Sequence, residues 1–443
     1  MGVSTVITAV VLGLAVVSYI IGNVVYNIFF HPLSGYPGPK LWAATRIPHS
    51  YYWVKGTLFI KVGEMHREYG KVVRSAPNEL SFIHEEAWRD IYGLAPGKAP
   101  LQKDTSYAIP NQESVGIVAC QNREDHQRIR RNFSHAFSAK ALYEQESIMG
   151  RHFDKLMTKL HGVADSGAQD LYKWYSYTSL DIISALTFGQ SYNCLDSLSY
   201  PEVFGKLGKF VMNRVLLGAA THYHPLILWG LLRWAPVEVR NGKMEWHRHI
   251  RNLLDARLAT KEAGHDFTSY VIRHFDRPTG LKMAEVQATY ASFILGGSDT
   301  VAITLATATH YLLTNPVVLD KLKLKVRSAF TSEADITIAQ VTNLKYLLAV
   351  IDEAMRINPA LADGQTRVTG PEGLIVAGEH IPAHTSLSVS PWSAMRSPLH
   401  FRHPEAFVPE RWLSSKEPIY HDDNKSMLQP FGMGARHCPG SKY

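Results

Sequence analysis

The first strong pattern along the chain is an almost unbroken apolar stretch near its N-terminus. It runs from Val6 to Phe30, and no Asp, Glu, Lys or Arg occurs before Lys40. At about 1.5 Å per residue, a helix of this length reaches roughly 37 Å, which is enough to cross a hydrocarbon core of about 30 Å. The apolar part of a cleaved signal peptide usually covers only ~7–15 residues. The pattern therefore favours a retained transmembrane anchor over residues 1–31.

The charges that flank the anchor predict its orientation. Lys40, Arg46 and Lys55 follow the apolar stretch, and no side-chain cation precedes it. The positive-inside rule then places the rest of the chain in the cytosol. Residues 32–40 contain three prolines and two glycines, so they cannot continue the helix and should form a stiff hinge before the main domain at 41–443.

The pattern of the main domain is mostly helical, with a few short β-like runs. These runs lie at 71–75, 79–83, 373–376 and 386–389, and one helical pattern follows another between about 120 and 360. The pattern contains no internal repeat and no persuasive linker. It predicts one large, mainly α domain with a small sheet assembled from distant segments.

The longest helical pattern carries two glycines at its centre. It runs from about Lys282 to Thr314 and is ended by Pro316. Gly296 and Gly297 each cost an exposed helix ~1 kcal/mol relative to alanine. Either a ligand must approach the backbone here, or the helix makes a tight and locally kinked crossing with a neighbour.

Composition excludes several classes of protein. The 443 residues are 46% hydrophobic and 19% charged, and the net charge of +7 is spread along the chain, which indicates a globular protein without a nucleic-acid-binding arm. The three cysteines, Cys120, Cys194 and Cys438, are too few and too scattered for a disulfide framework. They indicate reduced thiols in the cytosol, and an isolated cysteine is usually a small buried apolar residue.

Cys438 departs from that expectation because of its neighbours. The sequence FGMGARHCPG occupies residues 431–440, and its glycines allow the backbone to fold closely around a sulfur atom and direct N–H groups at it. It matches F-x-x-G-x-R-x-C-x-G, the haem-binding signature of the cytochrome P450 superfamily, and on this motif the chain resembles that family. The resemblance implies a haem b cofactor with Cys438 as the axial iron ligand, and with Phe431 and Arg436 beside the haem.

Two further motifs extend the resemblance to an ion-pair network. Glu353 and Arg356 lie three residues apart, so a helix places them on one face, where they can pair. Such a pair alone is usually a plain surface ion pair. In the resembled family this E-x-x-R holds a fold-defining network together with the arginine of a later P-E-R-[FW] element, which here is Arg411.

The glycine pair of the long helix also matches a family motif. Gly296-Gly297-Ser298-Asp299-Thr300 resembles [AG]-G-x-[DE]-T-[TS], with Val301 departing at the last position. In the family this element crosses above the haem, so the resemblance implies that Asp299 and Thr300 manage protons at bound dioxygen.

Three residues besides Arg436 are expected to neutralise the haem propionates. Many relatives carry W-x-x-x-R at the position of His126 and Arg130, where the histidine can still donate a hydrogen bond. Arg367, between the Glu-Arg helix and the next strand, is expected to be a further propionate partner by the same resemblance.

The resemblance implies a membrane-bound monooxygenase of the endoplasmic reticulum, similar to fungal enzymes that tailor secondary metabolites. Electrons would come from NADPH through a separate cytochrome P450 reductase, since the chain contains no flavin or nucleotide motif. Arg123, Arg128 and Arg131 are expected either to dock an acidic reductase face or to form a plain solvated face. The apolar stretch from Val211 to Val237 is either the roof of a pocket for a lipophilic substrate or a core helix.

The chain stops at Tyr443, five residues after the cysteine, whereas relatives continue with a helix and a hairpin. Both are expected to be missing, which would expose the thiolate and weaken haem binding. Two alternatives follow: an active monooxygenase, or an inactive, haem-poor remnant. A third is a haem-thiolate isomerase or peroxygenase that needs no reductase and no Asp299-Thr300 pair.

Overall fold

The chain divides into two compact units. The computed structural model describes residues 3–93, 100–104, 116–223, 229–230, 233, 237–260, 264–272, 280–413 and 418–442. Unit 1 comprises residues 1–104 and 363–394, and unit 2 comprises residues 105–362 and 395–443.

Unit 1 combines the N-terminal helix with all the strands of the described chain. Its helices are α1 (Val3–Val25), α2 (Lys40–Ala44), α3 (Ile47–Val54), α4 (Leu58–Tyr69) and α5 (Glu85–Tyr92). Its strands are β1 (Val72–Ala76), β2 (Glu79–Phe82), β3 (Gln102–Lys103), β4 (Arg367–Val368), β5 (Leu374–Val376), β6 (Glu379–Ile381) and β7 (Ser386–Val389).

The predicted N-terminal helix is present. A single π-helical turn, Tyr26–Phe30, extends α1. The apolar segment Val6–Phe30 has 25 residues and none of its most apolar window is buried, whereas the second long apolar helix of the described chain, Met283–Thr314, is partly buried. The first is therefore the candidate for a membrane span, and the second is a core helix.

The main sheet of unit 1 is assembled from distant segments, as predicted. Its strand order is β1-β2-β7-β4-β3, in which β2 and β7 are parallel and the other neighbours are antiparallel. A separate hairpin joins β5 to β6. Its two turn residues, Ala377 and Gly378, have φ values of 50° and 83°, as a tight hairpin requires.

A buried histidine connects α4 to this sheet. His66 is almost fully buried, and its ring nitrogens contact the Gly70 carbonyl oxygen at 2.8 Å and the Ser81 hydroxyl at 2.9 Å. Burial lowers the pKa of His66 to about 4, which the hydrogen bond to Gly70 only partly opposes. The folded protein therefore keeps this ring neutral at a pH where the unfolded chain protonates it.

This shift predicts acid sensitivity of the fold. Between about pH 6.5 and pH 4 the unfolded state binds the proton of His66 more tightly, so the free energy of unfolding falls as the pH falls. Each tenfold change in proton affinity corresponds to about 1.4 kcal/mol, so the effect is at most about 3 kcal/mol. We expect His66→Gln to lack this part of the pH dependence in urea unfolding followed at several pH values. The control His161→Gln, at an exposed histidine, should keep the native profile. If the free energy of unfolding of His66→Gln changed with pH as it does in the native chain, the prediction would be contradicted.

Unit 2 contains helices but no strand among its described residues. Its helices are α6 (Arg123–Phe133), α7 (Ala139–Gly162), α8 (Leu171–Phe188), α9 (Cys194–Ser197), α10 (Glu202–Ala220), α11 (Val237–Ala259), α12 (Phe267–Val271), α13 (Met283–Thr314), α14 (Pro316–Arg327), α15 (Ile338–Val341) and α16 (Lys345–Ile357). A last helix, α17 (Pro391–Met395), lies where the chain passes from unit 1 back to unit 2.

The long helix α13 is the centre of unit 2. It packs along α8 and also contacts α11 and α16. Aromatic rings fill the core beside it, and Phe293 meets Phe133, Phe137 and Phe267 edge to face with centroids 5.2–5.8 Å apart. The predicted bounds of α13 agree with the structure to within one residue, because Asn315 and Pro316 end one helix and begin the next.

The predicted secondary structure is confirmed in type: mainly helical with small sheets. The apolar stretch at 211–237 is an exception. Its residues 224–228, 231–232 and 234–236 lie outside the described part of the chain, so its role as pocket roof or core helix stays a prediction.

Candidate functional site

The loop around Cys438 folds back on itself. Gly432 and Gly434 have φ values of 70° and 77°, a left-handed conformation that strongly favours glycine. A 3₁₀ turn covers Gly434–Arg436, and the backbone N–H of Cys438 donates to the Phe431 carbonyl oxygen at 2.8 Å. The glycines of the motif therefore act as predicted, because they let the backbone close around the sulfur.

Cys438 differs from the other two cysteines in exposure and surroundings. Cys120 and Cys194 are buried, whereas Cys438 is partly accessible. Burial raises the pKa of the Cys438 thiol, while a hydrogen bond from the Gly440 backbone N–H and the charge of Arg130 lower it. The chain alone thus favours the neutral thiol, and a bound metal cation would add the positive charge that deprotonates it.

The donor set fits a haem better than a bare metal ion. Among the described residues, no three His, Cys, Asp or Glu side chains come close enough to hold a metal ion. One accessible thiol suits a cofactor that carries its own four nitrogen ligands and needs a single sulfur from the protein. Phe431, whose carbonyl oxygen accepts from the Cys438 backbone N–H, is 39% exposed and adds an apolar surface to the loop.

Two of the predicted propionate ligands hold the cysteine loop. Arg130 on α6 donates to the His437 carbonyl oxygen at 2.6 Å and contacts the His437 ring at 2.8 Å. Arg436 donates to the carbonyl oxygens of Cys120 and Gln121 at 2.6 and 3.0 Å. Burial lowers the pKa of Arg130, which the charge of Cys438 partly opposes. The structure therefore brings Arg130 and Arg436 to the cysteine loop.

His126 and Arg367 are the other two predicted propionate ligands. His126 is buried on the same helix as Arg130. Arg367 lies in unit 1 on β4, where its guanidinium stacks over the Tyr92 ring with 5.1 Å to the centroid and donates to the Thr366 carbonyl oxygen at 3.1 Å.

One of the three cations expected either to dock a reductase or to form a solvated face makes ion pairs within the chain. Arg128 donates to both carboxylate oxygens of Glu285, at 2.6 and 3.0 Å, and to Asp125 at 2.9 Å. The charge of Arg128 is therefore neutralised by a carboxylate distant in sequence, which makes this residue less suited to docking than its neighbours. Arg123 and Arg131 on the same helix are exposed.

The two glycines of α13 have different roles. A Cβ at Gly297 would lie 2.7 Å from the Ile183 Cγ1 atom on α8, so this glycine permits a tight helix crossing. A Cβ at Gly296 would meet no atom within 4 Å, so this glycine leaves open space beside the helix. The tight crossing is therefore confirmed at Gly297, and the approach of a ligand at Gly296 stays a prediction.

Thr300 and Asp299 follow on the next turn. The Thr300 hydroxyl donates to the Gly296 carbonyl oxygen at 2.7 Å, which leaves the oxygen lone pairs directed away from the helix axis. Partial burial raises the pKa of the Asp299 carboxyl group. Gly296 and Thr300 are four residues apart and share one side of the helix, whereas the exposed Val301 and Leu305 lie towards its opposite side.

The predicted ion-pair network is present and fully buried. Glu353 on α16 pairs with Arg356 through two hydrogen bonds of 2.8 Å and with Arg411 at 3.1 Å, and all three side chains are 0% exposed. Arg356 also donates to the carbonyl oxygens of Met395 and Pro404 at 2.8 and 2.7 Å. The network therefore fixes the segment that follows α17 against α16.

Sequence reasoning missed two members of this network. The Trp412 Nε1–H donates to Glu353 at 2.9 Å, and Asp423 forms a close ion pair with Arg411. The tryptophan stands in the P-E-R-W element, so its position carried a signal. No local pattern marks Asp423, because its partner lies on a separate turn.

Comparison with known proteins decides the family. A profile described as Cytochrome P450 matches residues 37–442. The chain belongs to the cytochrome P450 family. Enzymes of this family are oxidoreductases with a haem iron cofactor, and the expected P450 fold is confirmed.

Curated relatives cover most of this cytochrome P450. It is 37% identical over 440 residues to the cytochrome P450 monooxygenase astA of Talaromyces wortmannii, covering 97% of this chain and 87% of the relative. It is 37% identical over 429 residues to a trichothecene C-4 hydroxylase of Trichoderma arundinaceum, covering 94% and 84%. It is also 32% identical over 426 residues to an averantin hydroxylase of Dothistroma septosporum, covering 96% and 80%.

Proposed function

We propose that this cytochrome P450 is a monooxygenase that inserts one atom of dioxygen into a lipophilic small molecule during secondary-metabolite biosynthesis. The other oxygen atom leaves as water, and NADPH supplies the two electrons through a separate reductase. The accessible thiol of Cys438 in its glycine-rich loop carries the proposal. The names of the two hydroxylases among its relatives support the type of reaction.

Cys438 would hold the haem iron as a thiolate. When bound, a haem with this ligand favours cleavage of the O–O bond and oxidation of unactivated C–H bonds. The Gly440 N–H and the Arg130 guanidinium stabilise the negative sulfur, because both oppose the effect of burial on its pKa.

The haem propionates would be neutralised by cationic and N–H donors of the chain. We assign this role to Arg436 and Arg130, which lie at the cysteine loop, and to His126 and Arg367. An arginine binds a carboxylate through parallel hydrogen bonds, which suits it for this purpose.

Asp299 and Thr300 would hold and relay protons beside Gly296 on α13. The Thr300 hydroxyl is oriented by its bond to the Gly296 carbonyl oxygen. The pKa of the Asp299 carboxyl group is raised by burial, so the group is easier to protonate, which suits a group that relays protons.

Thr300→Ala is expected to uncouple NADPH oxidation from product formation, because the variant loses the hydroxyl that positions the proton. We expect product formation to fall by about a hundredfold, the lower end of what a positioned proton donor contributes, while NADPH continues to be oxidised. The ratio of product to NADPH consumed, measured with reductase present, tests this expectation.

Thr314→Ala is a matched control. Its hydroxyl makes the same type of bond, to the His310 carbonyl oxygen at 2.9 Å, but it lies about 21 Å further along the helix axis. It should keep native coupling, and Thr300→Ser should recover much of it. Native coupling in Thr300→Ala would remove Thr300 from the proposed role.

The N-terminal helix would anchor the enzyme in the endoplasmic reticulum membrane as a single pass, with the catalytic domain in the cytosol. The cations that follow the helix support this orientation. The partner would be NADPH–cytochrome P450 reductase, and the exposed Arg123 and Arg131 are the cations proposed to meet its acidic face.

Disruption of the gene in its source organism tests the proposed function without knowledge of the substrate. We expect mass spectrometry of lipophilic extracts to show loss of one product and accumulation of a compound lighter by one oxygen atom. Reintroduction of the native gene should restore the product, whereas the Cys438→Ala gene should not. An unchanged extract after disruption would contradict a biosynthetic oxygenase.

A further inference from the structure

The residue just before the proposed iron ligand has a side chain with two ordered partners. His437 is exposed, yet its Nδ1 atom lies 2.9 Å from the Gly434 carbonyl oxygen and its Nε2 atom lies 2.8 Å from the Arg130 guanidinium. A carbonyl oxygen only accepts hydrogen bonds, and a guanidinium only donates them. These partners assign one tautomer to the ring, in which the Nδ1–H donates to Gly434 and the Nε2 lone pair accepts from Arg130.

The backbone of the same residue is a second acceptor for Arg130. One terminal nitrogen of the guanidinium donates to the His437 carbonyl oxygen at 2.6 Å, and the other meets the His437 ring. Two acceptors on one residue thus hold both ends of the planar group, which fixes its position and its orientation. The guanidinium has further N–H donors, so this contact is compatible with the propionate role proposed for Arg130.

The charge of Arg130 is not neutralised by these contacts. Its neighbour on α6, Arg128, pairs with the carboxylates of Glu285 and Asp125. The partners that the described residues supply to Arg130 are a carbonyl oxygen and an imidazole, both of them neutral. The positive charge of Arg130 therefore remains available to act on a negative group at the cysteine loop.

The sulfur of Cys438 is that negative group when it binds iron. Burial raises the pKa of the Cys438 thiol, while the Gly440 N–H and the charge of Arg130 lower it. The energy between two charges depends on their distance and on the effective dielectric constant. Arg130 is half-buried, so water and salt screen its charge less than that of a surface cation. The effect on the sulfur thus depends on where the guanidinium is held.

The haem-binding signature does not specify the residue that holds it. In F-x-x-G-x-R-x-C-x-G the position before the cysteine is open, and here it is His437. The 3₁₀ turn Gly434–Arg436 brings the Gly434 carbonyl oxygen to the ring and so directs the other ring nitrogen at α6. The acceptor at this position is therefore a feature of this chain that the signature leaves free.

We propose that His437 is a positioning residue of the haem-binding loop, whose ring holds the charge of Arg130 beside the Cys438 sulfur and thereby raises the reduction potential of the bound haem iron. The proposal rests on Cys438 as the proposed iron ligand. A nearby cation stabilises the reduced site, which carries one more negative charge, and it weakens electron donation from the sulfur. The consequence is easier acceptance of the first electron from the reductase.

A redox titration of the purified, haem-loaded full chain tests this proposal. His437→Phe keeps a ring without an acceptor, and we expect its reduction potential to be more negative than that of the native chain. His437→Gln keeps an acceptor, because the amide oxygen can replace Nε2, and it should recover most of the difference. The matched control is His421→Phe, since the His421 side chain is 85% exposed and pairs only with its neighbour Asp422. It should keep the native potential.

A double-mutant cycle tests whether the ring acts through Arg130. Arg130→Gln should shift the potential further in the same direction, because in His437→Phe the backbone carbonyl oxygen of residue 437 still holds one end of the guanidinium. In the Arg130→Gln background, His437→Phe should add little. A full additional shift in that background would overturn the proposal, because the ring would then act without the arginine. His437→Ala, which also lacks an acceptor, replaces His437→Phe in the cycle if the larger ring prevents haem uptake.

Infrared spectroscopy of the reduced carbon monoxide complex supplies a second readout that does not depend on turnover. Stronger donation from the sulfur increases back-donation from iron, so the C–O stretching frequency should fall in His437→Phe and return towards the native value in His437→Gln. A native frequency and a native potential in His437→Phe would overturn the role of His437 but leave Cys438 as the ligand. A native chain that binds haem without a thiolate-type band would overturn the role of Cys438, and this inference with it.

Discussion

Cys438→Ala is expected to abolish the thiolate-type band in the reduced carbon monoxide spectrum, together with all oxygenase turnover. The other cysteines cannot replace it. Cys194 is fully buried, and burial raises the pKa of its thiol to about 12. The Cys120 thiol is also buried and donates to the Asn122 carbonyl oxygen at 3.4 Å. Without the thiolate, the iron loses the electron donation that favours O–O cleavage.

Cys194→Ala is the matched control for the loss of the ligand. It removes a thiol from the core and should keep the band, although the small cavity will lower stability. Circular dichroism of Cys438→Ala should match the native chain, because Cys438 is partly accessible on a loop. A thiolate-type band that persists in Cys438→Ala would exclude this residue as the iron ligand.

Glu353→Ala is expected to lower the free energy of unfolding by about 3–5 kcal/mol, the usual effect of removing one partner from a buried ion pair. Arg356 and Arg411 would remain as two guanidinium groups at 0% exposure without their shared carboxylate. The Trp412 indole N–H would also lose its acceptor. Urea unfolding followed by tryptophan fluorescence measures the loss.

Asp320→Ala is the control for this network. Asp320 and Lys323 form a pair with the same three-residue spacing on α14, but their side chains are 74% and 48% exposed. Exposed pairs contribute about 0–1 kcal/mol because water screens them. Similar losses in the two variants would mean that the buried network contributes no more than a surface pair.

Two examples show where the local pattern was sufficient. The predicted bounds of α13 agree with the structure because helix periodicity and the stop at Pro316 are both local properties. The predicted pairing of Glu353 with Arg356 is also present in the structure, because residues three apart on a helix lie on one face.

Arg128 and the glycine pair show where the local pattern was insufficient. Arg128 lies on a helix rich in cations, yet its partner Glu285 is 157 residues away. Gly296 and Gly297 are neighbours with the same intrinsic preference, but only the second faces Ile183. In each case the environment depends on a segment that the local sequence does not specify.

The linear order of residues was therefore enough to establish the apolar N-terminal helix, the helical class and the cysteine loop with its glycines. These features depend on length, periodicity and backbone freedom within a few residues. Three-dimensional packing was needed to show that Arg130 and Arg436 hold the loop, that Trp412 and Asp423 complete the buried network, and that Arg74 donates to the Asn27 carbonyl oxygen at the end of the N-terminal helix. Those contacts join segments that only the folded topology brings together, and burial then sets how strongly their charges interact.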